Sequence, residues 1–344
     1  MRIVVLGAGI FGLSIAWACA SRGAKVAVVD PFGPGAGASG GLVGALAPHV
    51  PENWNTKKAM QFRSLVMAET FWSGVAEVSG LDPGYARSGR VQPLPDARAV
   101  ELARARTETA MELWGGRHAW EVLPADAFAH LVVSPTGLVV RDTLSARLHP
   151  RQALRALVRA LEGRGVEIAA ETRGGDAVIH ATGVAGLLEL NGMAGAKIVG
   201  AGVKGQAALL DLDLGDEPQV YADGLHIVPH ADGTVAVGST SEREWDDPQA
   251  TDAQLDDVLV RACAACPALR GAPVIERWAG LRPRTRSRAP MLGRHPARDG
   301  EFIANGGFKI GFGMAPLAAE MMADLVLEGR DGIPAEFRPE ASLV

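Results

Sequence analysis

Arg2-Ile3-Val4-Val5-Leu6-Gly7-Ala8-Gly9-Ile10-Phe11-Gly12 opens the chain as an apolar strand running into Gly-x-Gly-x-x-Gly, and the next apolar run, Val26-Ala27-Val28-Val29, ends at Asp30. Each part of this pattern has a role in a dinucleotide site. Gly7 permits the tight turn, Gly9 lets backbone approach a pyrophosphate, and Gly12 allows the following helix to lie close on the strand. That helix, read from about Ile10 to Arg22, offers free N–H groups and a partial positive charge to phosphates at its N-terminus. An acid at the end of the second strand suits a ribose 2′-hydroxyl and repels a 2′-phosphate, which disfavours NADP.

The rest of the chain shows what kind of dinucleotide this is. After Asp30 comes a second small-residue stretch, Gly33-Pro34-Gly35-Ala36-Gly37-Ala38-Ser39-Gly40-Gly41, then Leu42-Val43-Gly44-Ala45-Leu46-Ala47-Pro48-His49. So many small residues imply backbone lying against something flat or large. Apolar residues at intervals of three and four predict helices over Lys57 to Ser79 and Asp96 to Trp114, separated by a Pro- and Gly-rich span. A strand over Gly137-Leu138-Val139-Val140, a helix from Pro150 to Gly163 and a buried strand, Ala177-Val178-Ile179-His180, ending in Ala181-Thr182-Gly183, come next. The nucleotide layer therefore resumes only after a long insertion. A compact nicotinamide module continues strand after strand, so the interruption favours a larger flavin dinucleotide shared between two domains. From Ile198 to Thr240 the pattern alternates, with turns at Asp223-Gly224 and Ala231-Asp232-Gly233, as in an antiparallel sheet. A helix over Asp252 to Ala265, strands over Val274 to Leu281 and Glu301 to Asn305, and a helix over Met314 to Leu327 complete the expected order.

Composition sets the outer limits. With 344 residues, 48% hydrophobic content and a net charge of −5, the chain can bury a large core and offers no basic nucleic-acid face or polybasic lipid-binding tail. No apolar stretch is long enough to span a membrane, and a cytoplasmic location is expected. Three cysteines make no disulfide framework; Cys263 and Cys266 read as a structural pair at a helix end, Cys19 reads as core, and no metal site is expected.

On these segments the chain resembles the D-amino-acid oxidase superfamily of flavoproteins, in its glycine oxidase and sarcosine oxidase-like branch. The resemblance rests on the N-terminal glycine motif with Asp30, on Ala38-Ser39-Gly40-Gly41-Leu42-Val43-Gly44-Ala45 and on Ala181-Thr182-Gly183. Most specific is Trp278-Ala279-Gly280-Leu281-Arg282-Pro283, followed by Gly293-Arg294-His295-Pro296 and Gly306-Gly307-Phe308-Lys309-Ile310-Gly311. It implies an α/β (α+β) fold in which a Rossmann-like FAD-binding domain (1–48, 142–197 and 275–344) is interrupted by a substrate domain with an antiparallel sheet (49–141 and 198–274). FAD is expected without a covalent bond, since no cysteine stands near Arg282. The implied cofactor contacts are Gly7, Gly9, Ile10, Phe11, Gly12, Asp30 and Pro31; Ser39, Gly40, Gly41 and Leu42; Thr182 and Gly183; and Gly280, Arg282, Gly307, Phe308, Lys309, Ile310 and Gly311.

The resemblance also implies a reaction, the oxidation of a small amino or N-alkyl amino acid by hydride transfer to flavin, giving an imine and then a keto acid. Arg282 matches the arginine that grips the substrate carboxylate, as suits a guanidinium fork. The neighbouring Arg277, Arg284, Arg286 and Arg288 read as solvated charges. Lys309 departs from the glycine oxidase pattern toward that of sarcosine oxidases. His226 and Ser241 stand where glycine oxidases carry tyrosine and methionine, which suggests a substrate with a further polar group. His226 fits a pocket or a solvent-facing strand equally well, and His49 falls where the small-residue segment passes the flavin. The alternatives are a 2-hydroxy-acid dehydrogenase with His226 or His49 as base, and a flavin-binding subunit that needs a partner. The expected partners are a small carboxylate-bearing amine and an acceptor, either oxygen or a quinone or electron-acceptor protein; a homo-oligomer is compatible with the sequence.

Overall fold

A computed structural model describes residues 1–172, 174–193 and 198–343. Arg173, in the short Thr172-Arg173-Gly174-Gly175 segment, and the expected boundary at 197 lie outside the described residues. The described residues form two large sheets. The first has six strands in the order Met291–Arg294, Glu301–Asn305, Ala177–His180, Arg2–Leu6, Lys25–Val29, Glu167–Ala169. All its neighbours are parallel except the edge strand Met291–Arg294. As the interrupted pattern requires, nothing between Asp30 and Glu167 joins this sheet.

The strands of this sheet are apolar along their length because helices cover them. Helices Ile10–Ser21, Pro150–Gly163, Thr56–Ser79 and Gly311–Glu328 form the main core with them, around fully buried Ile3, Leu13, Ile15, Leu65 and Trp72. Helix Pro150–Gly163 shows how sequence sets an element here: proline at its first turn, His149 as N-cap, and Leu154, Leu157 and Leu161 on its buried face.

The second sheet has eight strands in the order Val274–Thr285, Gly200–Asp211, Thr234–Gly238, Leu225–Pro229, Gln219–Ala222, Arg90–Pro93, Leu138–Asp142, Trp120–Pro124. It is antiparallel except where Gln219–Ala222 meets Arg90–Pro93. Asp223 and Gly224 both adopt positive φ in the predicted hairpin turn (50° and 75°), the backbone that an Asp-Gly pair is suited to supply. One face of the sheet carries Ala208, Val220, Ile227, Val235 and Val237 into a second core under helix Ala253–Ala265. The other face carries Ala207, Leu209 and Ala236, against which Leu42, Val43 and Trp278 lie.

The boundary expected at 275 moves. Val274–Thr285 is hydrogen-bonded along Gly200–Asp211 from Gly200↔Thr285 to Leu210↔Val274, so residues 275–285 belong to the eight-stranded sheet. Helix Thr56–Ser79, expected with the inserted segment, packs in the core of the nucleotide-side helices. Periodicity marks a strand or a helix but does not say which layer receives it. Arg90–Pro93 and Trp120–Pro124 are short strands, the first of them inside the Pro- and Gly-rich span between the two predicted helices.

Candidate active site

The glycine loop is built as its spacing requires. Gly7 has φ +103°, and a Cβ there would lie 2.4 Å from the Ala181 carbonyl oxygen; at Gly12 it would lie 1.9 Å from the Gly7 carbonyl oxygen. At Gly9 the only near neighbour is Ser39 Oγ, at 3.2 Å. Two glycines are thus demanded by the protein's own packing, while the third leaves an open face. Asp30 Oδ2 accepts from the Ala8 N–H (2.9 Å) and Oδ1 from the Phe32 N–H (3.0 Å), so this carboxylate also fastens the loop. Each oxygen keeps further acceptor capacity for a ribose hydroxyl. Ser39 Oγ accepts from the Ile10 N–H at 3.0 Å, joining the second small-residue stretch to the helix N-terminus.

The flatness implied by that stretch is partly supplied by the chain. A Cβ at Gly41 would touch the Trp278 ring at 3.3 Å, one at Gly40 would lie 2.2 Å from the Gly35 carbonyl oxygen, and one at Gly44 would lie 1.7 Å from that of Leu148. Gly307 and Gly311 close the ring of contacts: a Cβ at Gly307 would meet Phe11 at 3.1 Å, and one at Gly311 would meet Ile10 at 3.4 Å. The Thr182 hydroxyl, beside Gly183, is buried without a partner among the described residues. The start of the last long helix, at Gly311, has no side-chain cap. The segments named from the sequence, centred on residues 7–12, 30, 39–42, 182–183 and 307–311, are therefore drawn together by contact, with an orphaned hydroxyl and an uncapped helix end among them.

Strand registers align the opposite wall. Tyr221↔His226, His226↔Gly238, Gly238↔Ala207 and Ala207↔Trp278 form one row across five strands, and such directly paired residues share a sheet face. Gly280, Arg282 and Arg284 follow Trp278 at the same two-residue period. Only glycine at 205 leaves room for Arg282, since a Cβ there would fall 2.0 Å from a guanidinium nitrogen. The Arg282 fork donates to Ser239 Oγ (2.7 Å) and to the carbonyls of Thr240 (2.6 Å) and Lys204 (3.2 Å), while its Nε–H has no partner among the described residues. Burial pulls its pKa down to about 10, with Glu242 opposing.

Phe308, held at φ 45°, is the hub of this wall. The charged ends of Arg282, Arg284 and Lys309 lie 5.7, 5.7 and 5.8 Å from its ring centre. Desolvation first, and the Arg282 charge second, lower the Lys309 pKa. Arg284 corrects an expectation: it is half-buried on the Phe308 ring and not a solvated charge, because its two-residue offset from Arg282 puts it on the same face. Arg277, Arg286 and Arg288 are exposed.

His226 turns to this face rather than to solvent. Its ring is 4.7 Å from that of Tyr221, its Nδ1 is buried without a partner among the described residues, and burial reinforced by Arg90 and Lys309 pushes its pKa down to about 3. His49 is exposed, with backbone N–H and Nδ1 both on Gln61 Oε1, and partial desolvation by the groups around its ring lowers its pKa. Ser241 is exposed. All three cysteines are free; burial raises Cys19 to about 12 and Cys266 to about 11, so neither is a reactive thiolate.

Several contributors had no sequence signal. Arg90, buried on Asp142 at 2.9 Å, places its guanidinium 5.8 Å from the Tyr221 ring. On the far face of the sheet, buried Lys204 lies 3.5 Å from Glu242 and 3.6 Å from Asp252, and Gln206 donates to both acids at 3.1 and 2.9 Å. This network braces the 204 and 240 backbone that holds Arg282. Such groups are scattered in sequence and sit in no short contiguous pattern.

Known proteins place this architecture. The family model for FAD dependent oxidoreductases, DAO, matches residues 2–325. Glycine oxidase of Pseudomonas aeruginosa is 30% identical over 377 aligned positions that cover 99% of each chain. Among solved structures, glycine oxidase from Geobacillus kaustophilus superposes with a TM-score of 0.85 at 21% identity, covering 98% of each chain. Iminodiacetate oxidase from Chelativorans sp. BNC1 does so at 0.86 and 23% identity, covering 98% of this chain and 99% of the other. No helix among the described residues is long and apolar enough to cross a membrane. With the family model spanning nearly its whole length, the chain belongs to the DAO family of FAD-dependent oxidoreductases.

Proposed function

We propose that the protein oxidises a small amino or N-alkyl amino acid at its C–N bond, yielding an imine that water converts to a 2-oxo acid. The observation that carries this reading is the half-buried Arg282, whose unpartnered Nε–H lies in a wall that it shares with Lys309 and a neutral histidine. FAD, bound without a covalent link, supplies the two-electron acceptor. The residues suit it: an open glycine face at Gly9, the Asp30 carboxylate, the orphaned Thr182 hydroxyl and the uncapped helix at Gly311 offer donors and acceptors to a dinucleotide. The six-stranded layer would hold the cofactor and the eight-stranded sheet would roof the substrate.

Arg282 and Lys309 orient the substrate by its carboxylate, and their positive charges favour the neutral amine from which the α-hydrogen leaves with its electron pair. His226 supports this over hydroxy-acid oxidation. A hydroxyl substrate needs a base for its proton, and an imidazole whose pKa is about 3 is a poor one near neutrality. The relatives named oxidases favour dioxygen as the acceptor. Anaerobic titration of the flavin-loaded protein with glycine, sarcosine, D-amino acids and 2-hydroxy acids tests the proposal. Bleaching of the flavin band by amines is expected, and bleaching by hydroxy acids alone would overturn it.

A further inference from the structure

We propose that the amine oxidised by this protein carries a second carboxylate, as an N-carboxyalkyl glycine or an acidic amino acid does. This inference rests on the amine-oxidising reading above and narrows it to a substrate class. A single carboxylate on a neutral amine presents one negative charge. The wall presents three positive ones. Arg282, Arg284 and Lys309 all place their charged ends within 5.8 Å of the Phe308 ring centre. Among the described residues, no acid lies within ion-pair distance of any of the three.

The three cations differ in how they are held. Arg282 is fixed by Ser239, Thr240 and Lys204, and its only acidic influence is Glu242, itself engaged with Lys204, Gln206 and Thr240. Arg284 and Lys309 make no side-chain hydrogen bond to described residues beyond their contact with the Phe308 ring. Their donors are therefore available. Arg90, the further cation beside the Tyr221 ring, is already paired with Asp142. Phe308 keeps the left-handed backbone that side chains rarely adopt, and its N–H donates to the Pro283 carbonyl between the two arginines at 3.0 Å. That bond fixes the ring against strand positions 282 and 284, so the cluster is a built feature of the fold.

Uncompensated cations in a partly desolvated cleft repel one another, and an anion placed between them relieves that repulsion. One carboxylate satisfies the Arg282 and Lys309 pair. Arg284, on the same face two residues along the strand, is then the free cation for the second. With all three charges around one ring, a substrate with a short chain between its carboxylates reaches both positions. The unpaired His226 Nδ1 and the nearby Tyr221 add polar contacts without adding negative charge.

The test is matched pairs that differ by one carboxylate, sarcosine against iminodiacetate and alanine against aspartate in both hands, followed by anaerobic stopped-flow of the flavin in the loaded enzyme. Dead-end binding of acetate and malonate, read by flavin spectral shift and by calorimetry, runs beside it. The dicarboxylate is expected to bind on the order of tenfold or more tighter in at least one pair, and malonate likewise over acetate. In Arg284→Gln this ratio is expected to collapse toward one, and in Arg284→Glu to invert, with circular dichroism confirming that each variant folds. Flavin reduction by monocarboxylate amines with no dicarboxylate advantage would overturn this inference and leave the amine reading standing. A dicarboxylate advantage that survives in folded Arg284→Gln would overturn the role of Arg284. Flavin reduction by no amine at all would overturn the amine reading itself.

Discussion

The two walls of the cleft are made in opposite ways. The glycine loop is backbone fitted against backbone: Gly7 lies on Ala181, Gly12 on Gly7 and Gly40 on Gly35, and a single added carbon has nowhere to go. The roof is side chain gathered around side chain, with three cations on the Phe308 ring, His226 on Tyr221 and the Lys204–Glu242 network behind. The first wall is intolerant of mass. The second is intolerant of changed charge, and it can lose function while the fold survives.

The largest expected effect belongs to the first wall. Gly7→Ala must place a Cβ 2.4 Å from the Ala181 oxygen at φ +103°, which costs at least ~2 kcal/mol in backbone strain before the clash is counted. The variant is expected to purify without flavin or to lose it on dilution, as read by absorbance after gel filtration; a normally loaded protein would contradict the backbone account of this wall. Next is Arg282→Ala, which removes the proposed anchor and leaves the Ser239, Thr240 and Lys204 acceptors without their donor. Flavin content is expected to persist, while affinity for a carboxylate ligand falls about 100-fold, measured by spectral titration. Unchanged affinity would remove Arg282 from the site.

Lys309→Met gives a smaller, pH-dependent loss. The ammonium proposed to hold a carboxylate has a lowered pKa, so its charge disappears at a lower pH than an ordinary lysine's as pH rises. Wild-type affinity is expected to weaken on the alkaline side earlier than an ordinary lysine would allow, and the variant is expected to lack that limb. His226→Gln tests the contrast in the other direction. With its pKa near 3, His226 contributes no ionisation near neutrality, so the variant should keep the wild-type pH–rate profile between pH 5 and 8. A drop beyond about 100-fold would point instead to the histidine as a base.

The last expected effect concerns stability in acid and is read separately from activity. His226 and His230 both hold pKa values near 3 when folded, far below the ordinary 6.5, because burial favours the neutral ring. Below pH 6.5 the unfolded chain binds protons that the folded chain refuses. The stability these rings permit is therefore complete above 6.5 and declines as pH falls toward 3, by about tenfold in the folding constant per pH unit for each histidine. Denaturant titrations at pH 7 and pH 5 check this, with His230→Gln expected to show a shallower decline than the wild type.

Local chemistry made much of the fold legible. Asp-Gly at 223–224 fixed a hairpin turn, Pro150 with His149 fixed a helix start, and the motif at 2–12 fixed the strand, loop and helix, because each depends on neighbours in sequence. The candidate cofactor segments and Arg282 were readable for the same reason, since each sits in a short contiguous pattern. The assignment of residues 275–285 to the eight-stranded sheet was not, because pairing with Gly200–Asp211 is a contact between distant segments.

What the sequence determined by itself, then, was a dinucleotide loop, an interrupted parallel layer and a block carrying Arg282, the proposed anchor, all encoded over spans short enough for sterics and hydrogen bonding to act locally. Only the tertiary structure decided that Arg284 joins Arg282 and Lys309 around Phe308, that His226 turns inward to a cationic wall, and that Lys204, Gln206, Glu242 and Asp252 brace that wall from behind. The physical reason is that charge balance and burial belong to a place in space, and that place is assembled from strands far apart along the chain.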